Sequence, residues 1–220
     1  MGERASGDSL EVGCGRGSLS SYFSDHGWTC TLLDTSQSVL EIARSIFERN
    51  GHRGAFVCGD AEDLPFRQTP FDVVSSIGLL EHFQDASRTI DEQWRVIKPG
   101  GWLFAYIVPH RPENIQRYFR WLNGLLKQSV GRFLEQKGKS PPKQEIYRND
   151  YGSEAYLDSI RACGPDRLVV SGIYSMPMIS HSPEFPFSLL PDFLERLLVC
   201  LFRFAVSLRS RMLGYHGWMI

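Results

Sequence analysis

The sequence predicts an α/β fold, a parallel sheet covered by helices on both faces. Three observations carry that reading. Short apolar runs alternate with helical patterns as far as Val108, which is how successive β-α-β units read. A glycine-rich turn, Gly13-Cys14-Gly15-Arg16-Gly17, separates the first apolar run from the first helical one. Composition is that of a soluble domain: 220 residues, 42% apolar and 22% charged, enough to bury a core without staples.

The elements follow in order. Ser9–Val12 is a short strand leading into the glycine turn, and Ser18–His26 reads as a helix. Trp28–Leu33 is rich in strand formers and ends at Asp34. Ser36 stands where a helix N-cap belongs, and Val39, Leu40, Ile42, Ala43, Ile46 and Phe47 recur at helical spacing until Asn50-Gly51 stops them. Ala55–Cys58 is a strand ending at Gly59-Asp60, and Phe71–Ser76 is another. Ala86–Ile97 reads as a helix terminated by Lys98-Pro99-Gly100-Gly101, with a strand at Trp102–Val108.

Beyond Pro109–Pro112 the pattern changes. Ile115–Phe133 is a basic, aromatic helix candidate and Gly138–Pro142 a loop. Ser153–Cys163 is a short helix with Ser153 as its cap, Arg167–Ser175 is strand-like, Phe193–Met212 is helical, and Gly214–Ile220 is a final strand.

Charge is unevenly spread. The formal net charge is −1, but residues 1–109 carry −6 and residues 110–150 carry +5. The five cysteines, Cys14, Cys30, Cys58, Cys163 and Cys200, have no CxxC spacing, so neither a disulfide framework nor a zinc site is expected. Reduced thiols and a polar start, MGERASGDSL, predict a cytoplasmic protein. The histidines show no metal-ligand spacing, and no metal is expected.

The glycine turn admits two readings. It is a tight strand–helix connection, or it is a cradle where backbone N–H groups at a helix start meet a ligand. Its pattern is GxGxG, not the GxGxxG of dinucleotide sites. Three features favour the cradle. Asp34 ends the second strand, where a carboxylate accepts hydrogen bonds from ribose hydroxyls. Gly59-Asp60-Ala61-Glu62-Asp63-Leu64-Pro65-Phe66 follows the third strand, where Asp60 can accept from an exocyclic amine and the Ala61 N–H can donate to a ring nitrogen. Phe71-Asp72-Val73-Val74-Ser75-Ser76-Ile77-Gly78-Leu79-Leu80-Glu81-His82-Phe83 and Arg95-Val96-Ile97-Lys98-Pro99-Gly100-Gly101 frame the fourth and fifth strands.

Taken together over residues 8–108, these motifs resemble the class I S-adenosylmethionine-dependent methyltransferases, and within them the small-molecule group carrying EVGCGxG, GDAxxLPF, LEH and RVLKPGG patterns. The resemblance implies a Rossmann-like sheet of seven strands, order 3-2-1-4-5-7-6 with strand 7 antiparallel, in one domain spanning residues 1–220. Residues 110–150 and 176–213 would be variable cap segments. It further implies S-adenosylmethionine as cofactor and S-adenosylhomocysteine as product. Glu11, Gly13, Cys14, Gly15 and Gly17 would cradle the methionine part, Asp34 and Thr35 the ribose, Asp60 and Ala61 the adenine, and Ile77 would pass beneath the sulfonium. Members carry some tens of residues before the glycine motif, whereas about ten precede Glu11 here: either the chain is a fragment or short start variant, or the cofactor site is more open.

Transfer from a sulfonium is an in-line displacement governed by alignment, and a base is needed where the acceptor must lose a proton. His82, just past the fourth strand, is the candidate base, or else a residue that orders its loop. His110, after the fifth strand, lines the acceptor pocket or is structural.

The acceptor is sought in the second half. Arg111, Arg117, Arg120, Lys127 and Arg132, interleaved with Tyr118, Phe119, Trp121 and Phe133, are either a cover for an anionic or aromatic acceptor or a basic helix face in water. Residues 185–213 are strongly apolar but are interrupted by Asp192, Glu195, Arg196 and Arg203, too often for a membrane span. They pack as core, cover a greasy acceptor, pair two subunits, or lie on a membrane surface with Arg203, Arg209 and Arg211 at the headgroups. The leading expectation is an enzyme methylating a small molecule, with amphipathic or lipid-linked acceptors in view. The alternatives are an RNA or protein methyltransferase, or a non-catalytic cofactor-binding module that scaffolds a partner through residues 191–212. Ser76-Ile77-Gly78-Leu79 lacks the NPPY pattern of base-flipping enzymes, which argues against nucleic acid.

Overall fold

A computed structural model of the chain describes residues 6–67, 70–109, 147–173, 197, 200, 201 and 217–220. The chain divides into two compact units. Met1–His110, Tyr147–Ser171 and Trp218–Ile220 form the first, and Arg111–Ile146 and Gly172–Gly217 form the second. His110, the 111–146 part of the basic segment and nearly all of residues 176–213 lie outside the described residues, so the expectations placed on them do too.

The first unit is built on a parallel sheet of five strands. Its strands are β1 (Asp8–Val12), β2 (Thr29–Asp34), β3 (Gly54–Cys58), β4 (Phe71–Ile77) and β5 (Ile97–Ile107). β1 pairs in parallel with both β2 and β4, β2 with β3, and β4 with β5, giving the order 3-2-1-4-5. Val12 lies opposite Leu33 on one side and Ser76 on the other. The register therefore brings the carboxyl ends of β1, β2 and β4 to one edge. The order reverses between β1 and β4, the place where open α/β sheets bind ligands.

Side-chain alternation explains the layers. Leu10 and Val12 of β1 join Leu33, Val74, Phe71 and Ile97 in one buried cluster, while Cys30 and Leu32 of β2 face the opposite way with Leu40, Ala43 and Phe47. Strands buried on both faces read as continuous apolar runs. Helices α1 (Ser18–Asp25) and α2 (Gln37–Arg49) border the second cluster, with Phe23 and Trp28 at its margin. On the other side α3 (Ser87–Arg95) packs against α4 (Glu154–Ala162), and Ile90, Tyr156 and Ile160 close a third cluster over Ala105 and Ile107.

Boundaries differ from the expected ones in instructive ways. α3 ends at Arg95, and β5 starts at Ile97, five residues earlier than the apolar run implies. Phe71 pairs with Ile97 but Val73 with Trp102, so the Lys98–Gly101 stretch is looped out of register inside the strand. Gly101 is required there, because a Cβ would stand 2.8 Å from the Asp72 carbonyl. Ser36 and Ser153 occupy N-cap positions, yet neither side chain makes a capping bond. The Ser36 backbone N–H instead donates to Asp34 Oδ1 at 3.0 Å. Of the strand expected at Arg167–Ser175, the described residues contain β6 (Ser171–Ile173), which starts four positions later; residues 174 and 175 lie outside the described residues. The last strand, β7 (Gly217–Met219), runs antiparallel to β5 with Met219 opposite Tyr106.

Candidate cofactor site

The turn after β1 is held by backbone geometry that only glycine adopts freely. Gly13, Gly15 and Gly17 have φ of 67°, 53° and 70°, in the left-handed region. Their surroundings differ. A Cβ on Gly13 would stand 2.9 Å from Leu79 Cδ1, and one on Gly17 would stand 2.5 Å from Leu32 Cδ2 and 3.1 Å from Phe47. Among the described residues, a Cβ on Gly15 would meet nothing within 4 Å. Two glycines thus permit close packing, and the middle one faces open space.

The neighbouring loops are tied to this turn. Cys14 N–H donates to the Leu33 carbonyl at 2.9 Å. Gly15 N–H donates to Asp34 Oδ2 at 3.1 Å. Gly59 N–H donates to the Asp34 carbonyl at 3.1 Å, and the Cys58 thiol to the Thr35 carbonyl at 3.5 Å. The sequence-predicted residues at the ends of β1, β2 and β3 therefore form one connected edge. Asp34 is half-buried, and Thr35 and Asp60 are exposed. Asp60 Oδ1 accepts from the Glu62 N–H at 2.9 Å, which closes the turn that follows β3. Ala61 has its side chain in the core.

Glu11 has a structural part at the start of α1. Its buried carboxylate accepts from the Ser20 N–H at 2.9 Å and from the Ser20 hydroxyl. It therefore caps α1, whose N-cap Gly17 has no side chain to do so. Burial raises its carboxyl pKa, against the lowering effect of the Ser20 and Leu19 hydrogen bonds. Cys14 is also buried. Burial first, then the charges of Asp34 and Glu11, push its thiol up to about 12, so it serves as an apolar wall of the turn.

The end of β4 completes the edge. Ile77 is 39% exposed, and Gly78, with φ 65°, donates its N–H to the Tyr106 carbonyl at 2.8 Å. Leu80–His82 forms a single 3-10 turn. His82 is half-buried, and its Nδ1 lies 2.6 Å from the Tyr147 carbonyl. Glu81 beside it is fully buried, and among the described residues neither of its carboxylate oxygens has a hydrogen-bond partner.

Sequence reasoning missed the support beneath the third loop. Arg95 Nη1 donates to the Phe66 carbonyl at 2.6 Å and Nη2 to the Leu64 carbonyl at 3.1 Å. Glu92 Oε2 accepts from the Leu64 N–H at 2.8 Å and from Arg95 at 2.6 Å. Arg88 Nε donates to the Glu62 carbonyl at 2.8 Å. One face of α3 thus clamps the Asp60–Phe66 loop. Arg95 opens a motif quoted above, but nothing in its spacing told which carbonyls it reaches.

These residues fit S-adenosylmethionine. The open face of Gly15 is a cradle that a side chain would fill, and Asp34 and Asp60 supply acceptor carboxylates at the ends of β2 and β3.

Comparison with known proteins agrees. The family described as Methyltransferase domain matches residues 10–105. Over 95 residues the chain is 38% identical to the ubiquinone biosynthesis O-methyltransferase of Coxiella burnetii, spanning 43% of this chain and 41% of that protein. It is 29% identical over 153 residues to the biotin biosynthesis bifunctional protein BioHC of Cellvibrio japonicus, covering 69% of this chain and 29% of the relative. The chain thus spans less than half the length of the curated relatives it matches. Among solved structures, a methyltransferase of Bacillus halodurans, described as putative, superposes with a TM-score of 0.60 at 22% identity over 79% of this chain and 69% of that one. A methyltransferase of Haloferax volcanii, also described as putative and solved with the Trm112 activator, gives 0.60 at 20% identity over 97% and 80%. The sheet order, the open glycine turn linked to Asp34 and the matched family all converge on residues 10–105, and that segment is a methyltransferase domain of the class I, S-adenosylmethionine-dependent kind.

Proposed function

We propose that the protein transfers a methyl group from S-adenosylmethionine to a hydroxyl oxygen of a small-molecule acceptor. The observation that carries this is the Gly15–Asp34 pairing beside an unfilled glycine face, at the point where the strand order reverses. The names of the Coxiella burnetii and Thiobacillus denitrificans relatives, both ubiquinone biosynthesis O-methyltransferases, favour oxygen as the accepting atom.

The bound cofactor supplies an electrophilic methyl group with a good leaving group behind it. The chain's residues bind and orient. Glu11, Gly13, Cys14, Gly15 and Gly17 would shape the cradle, with Glu11 also capping α1 through Ser20. Asp34 and Thr35 would hold the ribose, Asp60 and Ala61 would hold the adenine, and Ile77 would pass beneath the sulfonium. His82 Nε2 accepts the hydroxyl proton, because Nδ1 is engaged by the Tyr147 carbonyl.

We further infer one domain over residues 1–220, its sheet completed to seven strands in the order 3-2-1-4-5-7-6. The strand order and the antiparallel pairing of Met219 with Tyr106 support this. In this reading residues 110–150 and 176–213 are variable cap segments, and His110 would line the acceptor pocket. An amphipathic or lipid-linked acceptor suits residues 185–213, where Leu197 and Leu201, four positions apart, are both exposed; the same face suits a second subunit or a membrane surface. No helix among the described residues is long and apolar enough to cross a membrane.

The test is a calorimetric titration of S-adenosylmethionine and S-adenosylhomocysteine, with Asp34→Ala as control, followed by an acceptor screen of free and lipid-linked phenols. Micromolar binding lost in the variant, with methylated phenol as product, is expected. Cofactor binding without product on any hydroxyl acceptor overturns the proposal.

A further inference from the structure

Asn149 lies outside residues 10–105, yet it is bound into the turn that carries His82. It is buried, while Tyr147, Arg148, Asp150 and Tyr151 around it are exposed. A buried amide must find partners for its polar atoms, and each of them is used. Its backbone N–H donates to the Glu81 carbonyl at 2.8 Å, and Nδ2 donates to the Phe83 carbonyl at 2.9 Å. Oδ1 accepts from the Tyr156 hydroxyl at 2.8 Å and from the Tyr151 N–H at 3.3 Å. The side-chain amide cannot be reversed, since Tyr151 N–H only donates and the Phe83 carbonyl only accepts.

Asn149 therefore grips the residues on both sides of His82. Two positions earlier, the Tyr147 carbonyl lies 2.6 Å from His82 Nδ1. A carbonyl accepts and never donates, so Nδ1 carries the proton. In the neutral ring the lone pair is then on Nε2. The bond at one ring nitrogen decides which nitrogen is basic.

We propose that Asn149 is a positioning residue that holds the Tyr147 carbonyl on His82 Nδ1 and so makes Nε2 the basic nitrogen. This rests on the reading of His82 as the proton acceptor. Tyr156 supports Asn149 from behind. It is buried, and burial pushes its hydroxyl up to about 12, so it remains a donor to Oδ1. The consequence is that a segment beyond the matched domain sets the chemistry of a residue inside it.

The test uses the full chain with ¹⁵N-labelled histidine, above the pH at which imidazole is protonated. Long-range ¹H–¹⁵N spectra report the tautomer of His82, assigned by its loss in His82→Gln. The wild type is expected to show Nδ1–H. Asn149→Ala is expected to lose that signature and gain Nε2–H. Tyr156→Phe, which removes one bond and keeps the backbone contacts, is expected to shift the same way by less. S-adenosylhomocysteine binding should be unchanged in both. A folded Asn149→Ala protein that keeps the Nδ1–H tautomer overturns the proposal. If that variant does not fold, an unshifted tautomer in Tyr156→Phe overturns it instead. A tautomer shift combined with full turnover in His82→Ala would sink the base assignment and leave the positioning role standing.

Discussion

Gly15 donates its backbone N–H to Asp34 Oδ2 at 3.1 Å, and this bond fastens the turn after β1 to the end of β2. It also separates two kinds of glycine. Gly15→Ala introduces a methyl group into open space and costs about 1 kcal/mol from its left-handed backbone alone. Gly17→Ala drives a methyl group into Leu32 and Phe47 and costs at least about 3 kcal/mol. Melting curves should show a small shift for the first variant and a large one for the second. Calorimetry should show the first losing cofactor affinity while remaining folded. Equal melting shifts would remove the distinction.

Removing the imidazole separates chemistry from binding. His82→Ala is expected to lower turnover by about 100-fold, within the ordinary range for a positioned base, with cofactor affinity unchanged. Initial rates at saturating cofactor decide it, and undiminished rates would take His82 out of the mechanism.

The clamp under the third loop makes a separate prediction. Arg95→Ala removes the donors to the Leu64 and Phe66 carbonyls, partly exposed bonds worth about 1–2 kcal/mol together. Cofactor affinity should fall by about tenfold if that energy holds the Asp60 loop in place. S-adenosylhomocysteine titration measures it, and an unchanged affinity would show that the loop holds itself.

The same clamp has a pH signature. The hydrogen bond from Arg95 holds the Glu92 carboxyl below its ordinary value of 4.5, against a smaller opposing effect of burial. A carboxyl lowered on folding stabilises the native state above its unfolded value, and that contribution fades as pH falls through the lower native one. The melting difference between wild type and Glu92→Gln should therefore be constant above pH 4.5 and shrink below it. A difference that grows on acidification would contradict the assignment.

Thiol reactivity should follow burial. Cys58 and Cys200 are exposed, whereas Cys14 and Cys30 are buried with thiols raised chiefly by that burial. Brief alkylation of the native protein near pH 8, read by peptide mass spectrometry, should label Cys58 and Cys200 and spare Cys14 and Cys30. Early labelling of Cys14 would mean that the turn opens.

The sequence by itself determined the alternation of β1 to β5 with their helices, because apolar spacing is a local property that survives without a third dimension. It also placed Gly13, Gly15, Gly17, Asp34 and Asp60, since glycines at a turn and acids at strand ends sit next to the elements they serve. The tertiary structure decided everything that depends on which carbonyl or carboxylate lies across a gap. The Glu11 carboxylate turns to cap α1, because Gly17 brings no side chain and burial demands a partner. β5 begins at Ile97, because Phe71 supplies a pairing edge that Lys98-Pro99-Gly100-Gly101 alone would not suggest. Arg95 reaches the Phe66 carbonyl 29 positions away, and Asn149 seizes the Phe83 carbonyl 66 positions away. No periodicity encodes such pairs: a buried hydrogen bond is set by the meeting of two distant backbones, and only the folded chain brings them together.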